Sequence, residues 1–237
     1  MQILIDTANL KDIEELFGLY PIDGVTTNPT ILKKEMQSPI EQLKKIRKII
    51  PQDAQLHTQV VSQNAEDMVK EAHHIIDELG SKTFVRLREL LQKFCFLIHP
   101  ETAQGYKAMA IMSNQGISVT ATAVHTAMQA YLAAKAGAKY VAPYVNRIDN
   151  TGVSGVAVVK DIQQIFNANK MDCKILAASF KNAWQVTELC KCAVASATVS
   201  VDVFKALVNN TLTDKAVKDF TNDFHTLTGA EKTMLDF

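Results

Sequence analysis

The sequence predicts an α/β chain whose parallel strands close into a (β/α)8 TIM barrel, a single domain with an extra C-terminal helix. Three observations predict it. Short apolar strands alternate with helical stretches from one end of the chain to the other, which is the pattern of repeated strand–helix units. The strands are apolar on both faces, as parallel strands beneath a helical cover must be. Eight such units fit 237 residues that are 47% hydrophobic, with no Gly/Ser linker or long charge block to divide them. A flavodoxin-like or Rossmann sheet is the alternative, but no G-x-G-x-x-G follows the first strand and no G-x-x-x-x-G-K-[ST] occurs, so nucleotide binding lacks its usual support.

Taken in order, residues 2–6 read as a short strand, and Asn9 is placed to cap a helix starting at Leu10, with Ile13, Leu16 and Phe17 at helical spacing. Residues 24–26 repeat the strand and run into Thr27, Asn28 and Pro29; a helix follows over roughly 38–49, with Pro39 in its first turn. Residues 56–61 form the third strand, and 64–79 an amphipathic helix with Gly80 at its end. Beyond an irregular stretch from Thr83, helix 102–114 leads to strand 119–124, helix 126–136 and strand 140–145. Helix 154–167, strand 175–179, helix 182–193 and strand 198–201 complete the alternation, and a last helix is expected at about 213–226.

Twenty-five basic residues balance twenty-five acidic ones, so no net field draws the chain to nucleic acid or to an anionic membrane. No apolar run approaches a membrane span, and Asp6 interrupts the first apolar run where a signal peptide would not allow it, so a cytoplasmic protein is expected. Cys95, Cys173, Cys190 and Cys192 fall mostly in apolar surroundings and read as free thiols. His73 and His74 lie on a helix with no third ligand nearby in sequence, which does not make a metal site.

In a barrel of this kind the chemistry sits at the C-terminal ends of the strands. The polar residues there are Asp6, Thr26, Asn28, Gln59, Thr122, Tyr144, Arg147, Ser179 and Lys181. The run KYVAPYVNRID, residues 139–149, is the densest part of the set: a buried strand, a proline that removes a backbone donor, then Tyr144, Asn146, Arg147 and Asp149. A carboxylate, a phenol, amides and hydroxyls suit a polyol and proton transfer near a carbonyl. Arg147, Ser179 and Lys181 match the oxygens of a phosphate.

The motifs LIDTAN at 4–9, GVTTNPT at 24–30, YVAPYVNRID at 140–149 and LAASFK at 176–181 resemble the transaldolase family, and within it the small fructose-6-phosphate aldolase branch. The resemblance implies a barrel that needs no metal or organic cofactor and forms a Schiff base between a strand-four lysine and a dihydroxyacetone-type donor. It implies a sugar-phosphate substrate and a homo-oligomer, a pentamer or decamer built through exchanged C-terminal helices. It assigns Asp6 to donor hydroxyls and proton transfer, Asn28 to orienting the adduct, and Thr122 and Tyr144, with Gln59 and a bound water, to proton transfer. Arg147 and Ser179 take the phosphate. Typical transaldolases place Glu and Phe where this chain has Gln59 and Tyr144, which points to the aldolase branch.

One stretch departs from the family pattern. Where F-V-K-I-P-V-T-x-E-G is expected, residues 84–105 read FVRLRELLQKFCFLIHPETAQG, with Arg86 at the lysine position and about a dozen surplus residues, roughly 40 Å of strand. The surplus reads as an atypical insertion around 86–99 or as an altered reading frame. Guanidinium stays protonated and cannot attack a carbonyl, so Arg86 does not replace the lysine. Because KFCFLIH is itself a credible buried strand, Lys93 becomes the expected nucleophile; Lys82 and Lys107 fall before the strand and on the next helix. The reading is therefore a Schiff-base aldolase or transaldolase acting on fructose 6-phosphate or a related sugar phosphate. The alternative is an inactive barrel that binds the same ligands without the lysine.

Overall fold

Eight strands pair in sequence order and the last pairs with the first: β1 (Gln2–Asp6), β2 (Gly24–Thr26), β3 (Gln55–Gln59), β4 (Phe94–Ile98), β5 (Ser118–Val124), β6 (Tyr140–Pro143), β7 (Lys174–Ala177) and β8 (Ser196–Val199). All neighbours are parallel, so the structure is the closed barrel that the alternation predicts. The computed structural model describes residues 1–79, 94–99, 102–229 and 232–237.

The fourth strand comes from the apolar half of the irregular stretch. Phe94 pairs with Leu56 and Leu97 with Gln59 on one side, while Cys95 pairs with Ser118 and Ile98 with Ala121 on the other. Arg86, Arg88 and Lys93 lie outside the described residues, as does Lys82.

Helices α1 (Leu10–Leu19), α2 (Pro29–Lys34), α3 (Pro39–Ile49), α4 (Ala65–Leu79), α5 (Ala103–Asn114) and α6 (Ala127–Lys135) cover the first part of the barrel. Then come α7 (Val145–Asp149), α8 (Gly155–Ala168), α9 (Ala183–Lys191), α10 (Val201–Val208) and α11 (Thr211–Thr228). The cap expected at Asn9 forms, its side chain accepting from the N–H groups of Lys11 and Asp12, and Thr126 and Gln129 form a reciprocal capping box on α6.

Two short helices depart from the expected boundaries. PTILKK forms α2, because Asn28 caps it and Pro29 sits at its first position. Strand β6 stops at Pro143 rather than reaching Val145; the Tyr144 N–H donates to the Val124 carbonyl, Val145 to Ala178 and Asn146 to Ser179, and the chain winds into α7. The last strand, expected at 198–201, runs Ser196–Val199 because Val201 already opens α10.

Alternation along each strand divides the core. Outward residues such as Val25, Leu56, Phe96, Val119, Val141 and Ile175 pack beneath the helices, and Ile5, Ala197 and Val199 join Leu16, Val186 and Phe204 in a second cluster. A side chain as fully enclosed as Phe96 contributes on the order of 2–3 kcal/mol. The lumen is plugged by Leu4, Cys95, Tyr140 and Leu176. Beside them buried His57 approaches Gln55 Oε1 at 2.9 Å and Thr120 Oγ1 at 3.2 Å, and Thr120 Oγ1 lies 3.2 Å from the Cys95 sulfur. Burial drives the His57 pKa down to about 3 and the Cys95 thiol up to about 12, so both are neutral and this layer acts as an uncharged floor.

Candidate active site

Above that floor, at the C-terminal ends of the strands, a cavity of about 130 Å3 is lined by Asp6, Thr26, Asn28, Gln59, Thr122, Tyr144, Arg147 and Ser179. These eight come from six of the strands or the turns just after them, and they include all but two of the residues selected from the sequence. Of the two, Lys93 lies outside the described residues. Lys181 does not line the cavity: its backbone N–H donates to Gln185 Oε1 at 2.7 Å and its residue is exposed.

Asp6 ends β1 and receives a 2.6 Å hydrogen bond from the Thr26 hydroxyl. Thr26 has one proton and spends it on that carboxylate, so the 2.6 Å contact with Thr198 is made by the Thr198 hydroxyl donating to Thr26. Burial raises the Asp6 pKa from 3.8 to about 6, against the opposing pull of the Thr26 hydrogen bond and the Lys34 charge. A carboxyl group so poised exchanges protons readily near neutrality. Asn28 has two tasks: its Oδ1 accepts from the Ile31 N–H to cap α2, which leaves the amide nitrogen for the cavity.

On the opposite wall Thr122 Oγ1 lies 3.0 Å from Tyr144 Oη. Alternation along β5 turns Thr120 and Thr122 inward between outward Val119 and Ala121. A bulge follows: the β5–β6 register shifts between Ala121 and Val124, and Ala123 takes φ +57, so Val124 joins the outer core. Tyr144 is held from two sides, by the His125 ring edge at 5.8 Å and by the Arg147 guanidinium at 4.6 Å from its centroid. Arg147 projects from α7 toward solvent. Ser179, at φ +60, follows β7, and its carbonyl accepts from the Asn146 N–H at 2.8 Å. Asp149 secures this corner, accepting from the Gly155 N–H at 2.7 Å and from the buried Gln185 amide at 2.5 Å. Arg147 and Ser179 thus both border the cavity, with groups suited to the oxygens of a phosphate.

Leu97 is the residue of β4 that faces this cavity, between Gln59 on β3 and Thr122 on β5. Among the described residues no lysine lines the cavity. Sequence reasoning missed Thr198 and Gln185. Thr198 carried the signal of a threonine at a strand end, and Gln185 that of an amide one turn into a helix.

The residues from 3 to 236 match the family model described as Transaldolase/Fructose-6-phosphate aldolase. A probable transaldolase from Methanococcus maripaludis is 36% identical over 224 residues, covering 94% of this chain and 97% of that protein. A probable fructose-6-phosphate aldolase from Streptococcus pneumoniae is 34% identical over 225 residues, covering 94% and 96%. Among solved structures, thiamine phosphate pyrophosphorylase from Pyrococcus furiosus superposes with a TM-score of 0.56 at 13% identity, over 87% of this chain and 93% of that one, a likeness of fold alone.

Proposed function

Because the chain belongs to the transaldolase/fructose-6-phosphate aldolase family, which supports an aldolase or transaldolase activity, we propose that it works through a Schiff base on fructose 6-phosphate or a related sugar phosphate. The observation that carries this reading is the meeting in one cavity of a carboxyl group with pKa about 6, a Thr–Tyr hydroxyl pair, an amide and a guanidinium at the rim. The amine proposed is that of Lys93, the lysine immediately before the strand that carries Leu97 into the cavity.

A neutral amine adds to the ketone carbonyl and water leaves, giving an iminium that acts as electron sink. The bond between the third and fourth carbons then breaks as the hydroxyl on the fourth carbon gives up its proton, releasing an aldehyde and leaving an enamine. Protonation of the enamine and hydrolysis release a dihydroxyacetone-type product; capture by a second aldehyde instead gives transaldol transfer. In this scheme Asp6 and Asn28 hold the donor hydroxyls, and Asp6 carries protons at its end. Thr122, Tyr144 and Gln59 handle the hydroxyl proton through water, and Arg147 and Ser179 hold the phosphate, with Lys181 adding charge nearby.

Arg147→Ala is expected to weaken sugar-phosphate binding about 10- to 100-fold while leaving dihydroxyacetone affinity within about twofold, as loss of a charge-assisted hydrogen bond predicts. Titration calorimetry with both ligands reads this, and an unchanged sugar-phosphate affinity would remove Arg147 from the site. The alternative, a barrel that binds sugar phosphate without turnover, is not favoured by the family match; it would rest on Leu97 alone, an alkyl side chain on the cavity-facing position of the fourth strand.

A homo-oligomer of pentameric or decameric size belongs to the same proposal. It is supported by α11, which buries none of its residues and exposes Leu212, Phe220 and Leu227 at 76%, 71% and 83%. Light scattering should return a multiple of the 26.2 kDa chain mass, falling toward one chain in Phe220→Asp; a wild-type monomer contradicts it.

A further inference from the structure

We propose that His99 is a positioning residue that decides which face of the Gln59 amide the cavity meets. The inference rests on the aldolase reading only for what that face does. Gln59 closes β3 and His99 directly follows β4, whose Leu97 pairs with Gln59. Across that pair Gln59 Nε2 stands 2.9 Å from His99 Nε2. An amide nitrogen only donates, so in this contact the imidazole Nε2 accepts, which requires the tautomer with its proton on Nδ1. With Nε2 held there, Gln59 has its carbonyl oxygen left for the cavity that it lines.

The difference matters to the chemistry. A carbonyl oxygen accepts a proton from water or from a substrate hydroxyl, whereas an amide NH2 turned inward would compete with those protons beside Thr122 and Tyr144. The opposite side of Gln59 borders a second cavity of about 380 Å3, where apolar Leu32, Ile40, Leu43 and Ile75 are joined by Gln37, Glu71 and His74. Among the described residues the Gln59 side chain hydrogen-bonds to His99 and to none of these. The His99 backbone is itself held closely. Gly105, in the first turn of α5, leaves so little room that a Cβ there would lie 2.0 Å from the His99 carbonyl oxygen. The imidazole is exposed, which limits the bias it exerts on the amide to about three- to tenfold.

Nitrogen-15 NMR of the imidazole, at a pH where the ring is neutral, tests the proposal without reference to turnover. The Nδ1–H tautomer is expected in the wild type and its reversal to Nε2–H in Gln59→Glu, because a carboxylate only accepts. Wild-type His99 carrying its proton on Nε2, or a tautomer indifferent to Gln59→Glu, would overturn the assignment. In steady-state assays His99→Phe should lower kcat three- to tenfold with KM within twofold, and His99→Gln, which retains an acceptor, should recover part of the loss. An unchanged kcat in His99→Phe overturns the positioning role. If the wild type neither turns over nor traps a substrate, the aldolase reading fails and the tautomer alone decides the inference about His99.

Discussion

Asp6→Asn is expected to reduce aldol turnover by about 10²- to 10⁴-fold while making the folded protein more stable at neutral pH. Both effects come from the same burial. The Asp6 carboxyl has its pKa raised from 3.8 to about 6, so the folded chain holds this proton more tightly than the unfolded chain does. Its contribution to stability is therefore complete below the unfolded value and is lost as pH rises through the folded one, by about 3 kcal/mol over two units. At pH 7 the wild type carries that penalty and an amide does not. Thermal melts at pH 4 and pH 7 should show the variant gaining on the wild type only at the higher pH, by on the order of 2 kcal/mol or a few degrees. The acid limb of the kcat/KM profile near pH 6 should vanish with the carboxylate. Equal stability at both pH values, with activity retained, would mean that Asp6 is an ordinary hydrated carboxylate.

The second large effect concerns the amine. Lys93→Met is expected to abolish both turnover and borohydride-trapped adduct, since among the described residues no lysine lines the cavity to form an iminium in its place. In that background Leu97→Lys should restore a trapped adduct, now at position 97, because the Leu97 side chain already lies in the cavity of Asp6, Gln59 and Thr122. The new lysine, partly desolvated, would have the lowered pKa that keeps an amine neutral. Turnover that survives Lys93→Met would exclude Lys93 as the nucleophile. An unmodified Leu97→Lys in folded protein would place the substrate carbonyl elsewhere.

Much of this architecture is legible in the sequence because each unit announces itself locally. Asn9, Thr126 and Ser154 mark helix starts, and the apolar strands end in the polar residues that line the cavity. What escapes a local reading is what depends on distant partners. The bulge that turns Val124 outward beside Thr122 occurs at an alanine in the left-handed region, where no glycine signals it. The Thr198 hydroxyl matters through Thr26, 172 residues away in sequence. Lys181 follows β7, where a binding lysine is expected, but that position also starts the turn into α9, where its N–H donates to Gln185. Conversely, KFCFLIH is recognisable as the fourth strand even within an unfamiliar stretch, because a run of consecutive apolar residues bounded by polar ones has few other places to go.

The measurement that bears most directly on the whole account is borohydride reduction of the wild-type protein with dihydroxyacetone or fructose 6-phosphate, followed by peptide mass mapping. The account predicts one reduced adduct, on Lys93. Folded protein that binds sugar phosphate and yields no adduct on any lysine would contradict it, and would leave a barrel that retains the ligand-binding wall while Leu97 stands where the amine is needed.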